Sequence, residues 1–413
     1  MKRILIIGMN YFPELTGIGK YTGEMAVYLA EKKFNVQVLT GLPYYPDWKI
    51  KAGYSKFKFQ NEYIDGVNVL RCPIYVPKKI TTFYRIIQDL SFFVSSFIGT
   101  LLLLLKKKQF DLIVTVSPSL FTGLNGIWLK YWNRNSKLIY HIQDLQIDAA
   151  SQLQMIKRPF LLQTLKRIER YILKNSSAVS TISSGMLNRI SAKSVPIKKK
   201  ILFPNWIDDG KVYATHPNYD ILNELGIPQN KKIIFYSGAV GEKQGLEILI
   251  SVIDYYYRIH SDFLFVISGS GPYMEQLKNK FISRHLSNVC FIDLQPVYIF
   301  NQLLNIAWLH LILQKENAAD LVLPSKLTNM MAVGGLVLAT APVHSTLYNI
   351  LKDNHLGYVV RPDQADEIIR AINFLAQNDE YANCLKKNAI QFANNNLKKE
   401  IVLNRFINEF EEI

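Results

Sequence analysis

Cysteine is scarce in this chain. Three thiols, Cys72, Cys290 and Cys384, are spread over 413 residues with no CxxC pair. That argues against a disulfide framework or a zinc finger and for a reducing compartment. Histidine is also sparse, at seven, and neither HExxH nor another paired spacing occurs, so no catalytic metal is expected. No G-x-G-x-x-G stands directly behind a strand-like run, and no short-period repeat or low-complexity tract occurs. Acidic residues are in deficit, 33 against 48 lysines and arginines, which leaves a net charge of +15. Such a chain suits an anionic partner: nucleic acid, a membrane surface or a phosphorylated substrate. The basic residues are scattered apart from Lys106–Lys108 and Lys198–Lys200, and no RNP, zinc-finger or helix-turn-helix pattern accompanies them. Nucleic acid is therefore not expected.

What is present is apolar. Hydrophobic residues make up 49% of the chain and charged ones 20%, too apolar for disorder and long enough for two domains. The opening MKRILIIGMN is too short an apolar run for a signal peptide and reads as a first buried strand. Leu90–Leu105, LSFFVSSFIGTLLLLL, is followed by three lysines and falls short of the roughly 20 residues a spanning helix needs. Two readings stay open: a helix buried against a sheet, or one that dips into a membrane interface with its lysines on anionic headgroups.

Apolar runs at Ile4–Gly8, Val36–Thr40, Val67–Arg71, Leu112–Val116, Leu138–His141 and Ala178–Ile182 alternate with helical patterns such as Gly19–Lys32 and Phe160–Lys174. Near-continuous apolar strands separated by helices indicate a parallel sheet covered on both faces. The stretch Leu202–Asp220, rich in Pro, Asn, Asp and Gly, reads as a linker. A second series follows at Ile233–Ser237, Phe263–Ser268, Val289–Ile292, Leu309–Leu313 and Leu336–Thr340, and the tail from Tyr381 to Glu411 is helical throughout. The expected fold class is α/β, with two doubly wound domains, 1–204 and 205–390. Sheets of this kind bind ligands at the carboxyl ends of their strands.

Several strand ends carry candidate chemistry. Gly17 and Gly19 open the first helix, where a backbone free of side chains lets an anion approach. Gly238 and Gly241, followed by Lys243, form a second such turn with a cation attached. Gly269-Ser270-Gly271 reads as turn geometry alone. His141 and Asp144 are three residues apart at a strand end, where either can orient a hydroxyl or act as a base. In LPSKLTNMMAVGG, Lys326 stands where a strand hands over to a helix, with Pro324 and Ser325 just ahead of it. A lysine there opposes the helix dipole by about 0.3–1 kcal/mol, a cost that a bound polyanion reverses. Lys243 and Lys326 together suggest a diphosphate site; the plainer alternative for Lys326 is that it reaches to solvent. Tyr44, Tyr45 and Trp48 form either an aromatic acceptor platform or loop packing.

The segments YFPELTGIGKYTGEMAVYLA, GLPYYPDWK, HIQDLQIDA, TISSGM, FPNWID, YSGAVGEKQGLEILI and LPSKLTNMMAVGG occur in this order. Together they resemble the family 4 glycosyltransferases of the GT-B fold, and within them a bacterial branch of colanic acid biosynthesis enzymes. The resemblance implies two Rossmann-like domains facing across a cleft, an acceptor-binding one (1–204) and a donor-binding one (205–390), with a last helix at about 391–413 crossing back. It implies a retaining transferase without cofactor or metal. Its donor is a nucleotide diphosphate sugar, and its acceptor a lipid-linked oligosaccharide for exopolysaccharide, capsule or O-antigen. The enzyme is expected in the cytoplasm, peripheral on the inner face of the plasma membrane, whose anionic surface suits the basic charge.

By the same resemblance Lys243 and Lys326 grip the pyrophosphate, His141 lies near the transferred sugar, and Gly17, Gly19, Gly238, Gly241 and Ser325 line the donor. Asp144 is assigned to the acceptor side. The family commonly carries two glutamates eight apart across the PSK segment; here the positions hold Leu321 and Asn329. Asn329 still reaches a ribose hydroxyl in kind, whereas Leu321 cannot hold a sugar, and Glu316 or Asp320 is expected to take over. Ala239 stands where an arginine is common. These departures motivate a second reading, a non-catalytic nucleotide-binding subunit assisting another glycosyltransferase. A third, an NAD-dependent oxidoreductase or epimerase, lacks its dinucleotide fingerprint.

Overall fold

Continuous apolar runs without turn residues fold into strands that hide both faces, and two parallel sheets result. A computed structural model describes residues 2–14, 17–45, 47–79, 81–152, 156, 158–241, 244–271, 273–316 and 326–413. The described residues divide into two units, Met1–Pro204 with Leu403–Ile413, and Asn205–Val402.

The first unit holds β1 (Arg3–Gly8), β2 (Asn35–Gly41), β3 (Gln60–Ile64), β4 (Val67–Cys72), β5 (Leu112–Ser117), β6 (Lys137–Ile142), β7 (Ala178–Thr181) and β8 (Lys200–Leu202). Their order is β3-β4-β2-β1-β5-β6-β7-β8, with β3 antiparallel to β4 and the other pairings parallel. The chain direction of winding reverses between β1 and β5, where open α/β sheets take ligands.

The second unit holds β9 (Lys232–Ala239), β10 (Phe263–Ser270), β11 (Val289–Ile292), β12 (Leu309–Ile312), β13 (Val337–Thr340) and β14 (Tyr358–Val360). They are all parallel, in the order β11-β10-β9-β12-β13-β14. That is the dinucleotide-fold order 3-2-1-4-5-6, and its switch point lies between β9 and β12. Three strands escaped the sequence reading. β8 and β14 have three residues each, and β3 is an edge strand whose residues are only half covered.

The stretch 202–220 is not a loose linker. Ile207 and Val212 are buried in the second unit's core. The amide side chains of Asn301, Asn305 and Gln302 accept from the backbone N–H groups of Tyr213, Thr215 and Asn218. Its turn-rich composition follows the outside of the helix Val297–Ile306 rather than spanning solvent. The C-terminal tail is two helices. Asp379–Asn396 buries Ala389 and Ala393 in the second unit, while 403–413 belongs to the first. There Phe406 stacks on Phe203 at 4.0 Å, Tyr28 Oη donates to Asn404 Oδ1 at 2.8 Å, and Lys199 pairs with Glu409 and Glu412.

The segment at Leu90 belongs to a longer helix than its composition indicated. With α1 at Gly17–Glu31, this next helix, α2, spans Thr82–Leu105, 24 residues, and is capped by Thr81 Oγ1 accepting from Tyr84 N. It is long and apolar enough to cross a membrane. Yet it is packed along one stripe: Phe92, Ser96, Gly99, Thr100 and Leu103 are buried. A Cβ on Gly99 would lie 2.7 Å from Leu39 Cδ1. Asn125, on α3 (Thr122–Trp132), donates through Nδ2 to Phe93 O and Ser96 Oγ.

Candidate active site

At the carboxyl end of β9 the backbone turns through Gly238, whose φ of 134° suits glycine. Lys326, the first residue of the helix Lys326–Ala332, reaches back to this turn. Its Nζ lies 3.9 Å from the centroid of the Tyr236 ring and 3.8 Å from where a Gly238 Cβ would stand. The side chain is half-buried, and among the described residues no carboxylate pairs with it. Burial pushes its ammonium down to about 7. A desolvated cation met, among the described residues, by the face of an aromatic ring is a cost to the fold that a bound anion would offset.

Glycine at the neighbouring strand end is a packing requirement. A Cβ on Gly269 would stand 2.0 Å from Gly238 O, and one on Gly271 2.1 Å from Val240 O. Gly241 N donates to Gln244 Oε1 at 3.1 Å. A second described cation joins these turns unannounced by any motif: Lys315, half-buried behind β12, lays its Cγ 2.9 Å from where a Gly245 Cβ would be. Asn329 is half-buried on the Lys326 helix, and Glu316 is exposed. Lys243, Asp320, Leu321, Pro324 and Ser325 lie outside the described residues.

In the first unit the loop after β1 is fastened by Glu14, which the sequence reading passed over. Its Oε1 accepts from Tyr44 N at 3.0 Å and Tyr45 N at 2.9 Å, and its Oε2 accepts from Asn10 Nδ2 at 2.8 Å. Burial raises its pKa, against the pull of those donors. Gly19 must be glycine, because a Cβ there would stand 2.9 Å from Glu14; Gly17, with φ 59°, has open space around it. Arg71, fully buried, clamps the same region by donating to Glu62 Oε2, Gly41 O and Phe12 O.

The aromatic platform is narrower than expected. Tyr44 is buried in the core, edge-on to Trp48 at 5.5 Å, so it supports rather than faces a ligand. Tyr45 is exposed and Trp48 half-buried, with the Arg85 guanidinium 5.2 Å from the Trp48 ring. His141 is buried on β6. Its Nδ1 lies 2.9 Å from Ser180 Oγ on β7, and burial pulls its pKa down to about 3. Such an imidazole is neutral at working pH and serves as a hydrogen-bonding group rather than an acid. Asp144, two residues past β6, is half-buried. A second unread carboxyl is Asp89 on α2, half-buried beside Tyr44, which burial pushes up to about 7 against the pull of Arg85. Among the described residues no cluster of His, Cys, Asp or Glu is arranged to hold a metal ion.

Comparison with known proteins assigns the chain. Residues 218–392 match the family described as glycosyl transferases group 1, and residues 16–206 match the glycosyl transferase 4-like domain. A protein of Escherichia coli (strain K12) named as the colanic acid biosynthesis glycosyl transferase WcaI is 38% identical over 417 residues, 98% of this chain and 99% of that one. The chain is a family 4 glycosyltransferase.

Solved structures agree on the fold. Sucrose-phosphate synthase from Thermosynechococcus elongatus superposes with a TM-score of 0.75 at 16% identity, covering 100% of this chain and 99% of that one. Anabaena HepE in complex with UDP-glucose does so with a TM-score of 0.68 at 14% identity, covering 100% of both. This is a GT-B enzyme, a transferase of EC class 2.4. Its Lys326 turn lies in the group 1 half and its Glu14 loop next to the 4-like half.

Proposed function

We propose that this glycosyltransferase moves a sugar, with retention of anomeric configuration, from a nucleotide diphosphate sugar to a lipid-linked saccharide in exopolysaccharide, capsule or O-antigen assembly. The observation that carries the reading is Lys326: a half-buried cation with no carboxylate partner among the described residues, at the glycine turn that closes β9. A diphosphate supplies the missing charge. Lys315 and, from the sequence, Lys243 add to the same anion-binding character. A relative named for colanic acid biosynthesis and a neighbour holding UDP-glucose support the donor class and the pathway class.

Bond breaking builds negative charge on the departing nucleoside diphosphate, and a preorganised cation stabilises that charge more in the transition state than in the ground state. The acceptor hydroxyl loses its proton to the leaving phosphate oxygen as its own oxygen bonds to the anomeric carbon, so no enzymic base is required. Neutral His141, with one nitrogen tied to Ser180, orients sugar hydroxyls. The acceptor is bound by the first unit, with Tyr45, Trp48 and Asp144 toward it, at the inner face of the plasma membrane.

A thermal-shift screen of UDP, GDP, ADP, dTDP and their sugars identifies the donor, and donor turnover is then compared between wild type and Lys326→Ala. The proposal expects turnover in wild type and a loss of about 10²–10³ in the variant. Tight nucleotide binding with no turnover on any donor would contradict it and favour an assisting subunit.

A further inference from the structure

Helix α2 is the membrane-docking element: we infer that it lies along an anionic bilayer, its outer stripe in the interface and its inner stripe in the first unit. The two stripes follow from helical periodicity. Phe83, Leu90, Val94, Ile98, Leu101 and Leu105 recur three, four or seven residues apart, and all are exposed, Leu105 at 78% and Val94 at 55%. Soluble surfaces rarely leave so long an apolar line uncovered. Beside it runs a groove of about 550 Å³ lined by Phe59, Pro73, Ile87, Leu90, Val94 and Ile98. It is apolar enough to receive a hydrocarbon chain from the same bilayer.

Charge decides the occupant. Residues 49–108 carry eleven lysines and arginines against Glu62, Asp65 and Asp89. Glu62 is held by Arg71 at 2.9 Å. Lys56 and Lys58 flank the 88%-exposed Phe57, Lys78 and Lys79 precede the helix, and Lys106–Lys108 follow it, all exposed. Cations at both ends of an apolar stripe, with aromatic rings among them, match a headgroup layer over hydrocarbon. A second copy of the chain would set this basic surface against itself. Crossing the membrane would strip Ser96, Thr100 and the Asn125 hydrogen bonds out of the folded unit and into hydrocarbon. In-plane docking satisfies both faces of the helix at once.

The inference deepens the lipid-linked acceptor reading and rests on it for the lipid's role, but its test needs neither donor nor acceptor. Full-length protein is floated with phosphatidylethanolamine vesicles containing about 30% phosphatidylglycerol and with neutral phosphatidylcholine vesicles. Wild type is expected to float with the anionic vesicles, and to release as salt rises and screens the surface. Lys106→Gln with Lys107→Gln should weaken binding by about fivefold per lysine. Val94→Asp with Ile98→Asp changes exposed side chains and should leave circular dichroism and nucleotide thermal shifts unaltered, while lowering vesicle binding at least about tenfold.

Equal binding to neutral vesicles, undiminished binding of the Val94/Ile98 variant, or a wild-type dimer that this variant splits would each overturn the inference. Vesicle binding intact in a protein that transfers sugar only to water-soluble acceptors would overturn the acceptor reading instead.

Discussion

The first unit's sheet repeats the second's winding order with an antiparallel edge strand and one further parallel strand added, and the two units treat their buried charges differently. In the first, the fully buried Arg71 is paired with Glu62, and two carboxyls, Glu14 under the Tyr44–Tyr45 backbone and Asp89 on α2, are raised in pKa by burial. In the second, the unusual group is a cation, Lys326, lowered by burial and facing a tyrosine ring. Isolated buried charge is unfavourable in either sign. What differs is the remedy. Glu14 is satisfied inside the protein by three donors, whereas Lys326 has no carboxylate partner among the described residues. One unit uses its buried carboxylate to fasten a loop; on the proposed function, the other uses its cation to hold the donor's diphosphate.

The sharpest way to break this contrast is to exchange the cation. Lys326→Ala should lower kcat/KM by about 10²–10³ with the fold kept, and Lys326→Met should raise the thermal midpoint near pH 6, where the ammonium is charged and buried. The sign follows from linkage. With a folded pKa of about 7 against an ordinary lysine value of 10.5, the unfolded chain binds more protons between those limits, so wild-type stability rises with pH through that window. Donor affinity should move the other way and weaken above about pH 7, because a diphosphate needs the charged form. A lysine whose removal costs stability and spares turnover would abolish the comparison.

In the first unit, Glu14→Ala leaves two backbone N–H groups without their acceptor and should cost about 2–3 kcal/mol, measured by denaturant unfolding. Glu14→Gln keeps one acceptor oxygen and should cost less. On the proposed function the diphosphate is gripped at Lys326 in the other unit, so nucleoside diphosphate binding should survive both.

A smaller effect sharpens the comparison by titration. Asp89 has a folded pKa of about 7 against the ordinary aspartate value of 3.8. The folded state therefore holds the extra proton, and stability falls as pH rises from about 4 to 7. Asp89→Asn should flatten that slope and raise the melting temperature at pH 8. His141 and His310, lowered to about 3 and about 4, act in the opposite sense: each removes stability as pH falls below 6.5. Melting temperatures of His141 and Asp89 variants between pH 4 and 8 separate the two contributions.

Much of this was legible in the chain. Parallel strands announce themselves as unbroken apolar runs, and eleven of the fourteen strands among the described residues were read from them. Lys326 stood out because a lysine opposing a helix dipole asks for a reason, and the structure seats it half-buried at the Gly238 turn. Glu14 was not: its donors, Tyr44 and Tyr45, stand thirty positions on, and nothing local marks a carboxylate as buried. Asp89 hid in a helix whose apolar composition drew attention to its outer stripe. Tyr44 stayed open between platform and packing because an aromatic in a loop looks the same whether it faces solvent or fills a core; it fills the core. The stretch 202–220 has a linker's composition yet is pinned by asparagines some ninety residues later, a partnership that only the fold reveals.

The most direct test is a side-chain NMR titration of Lys326, assigned by loss of its signal in Lys326→Met, in the free enzyme and with the nucleoside diphosphate that stabilises it most. The account predicts a pKa near 7 in the free enzyme and a rise of more than one unit when the diphosphate binds. A free-enzyme value near 10.4, the ordinary value for lysine, unchanged by nucleotide, would contradict it.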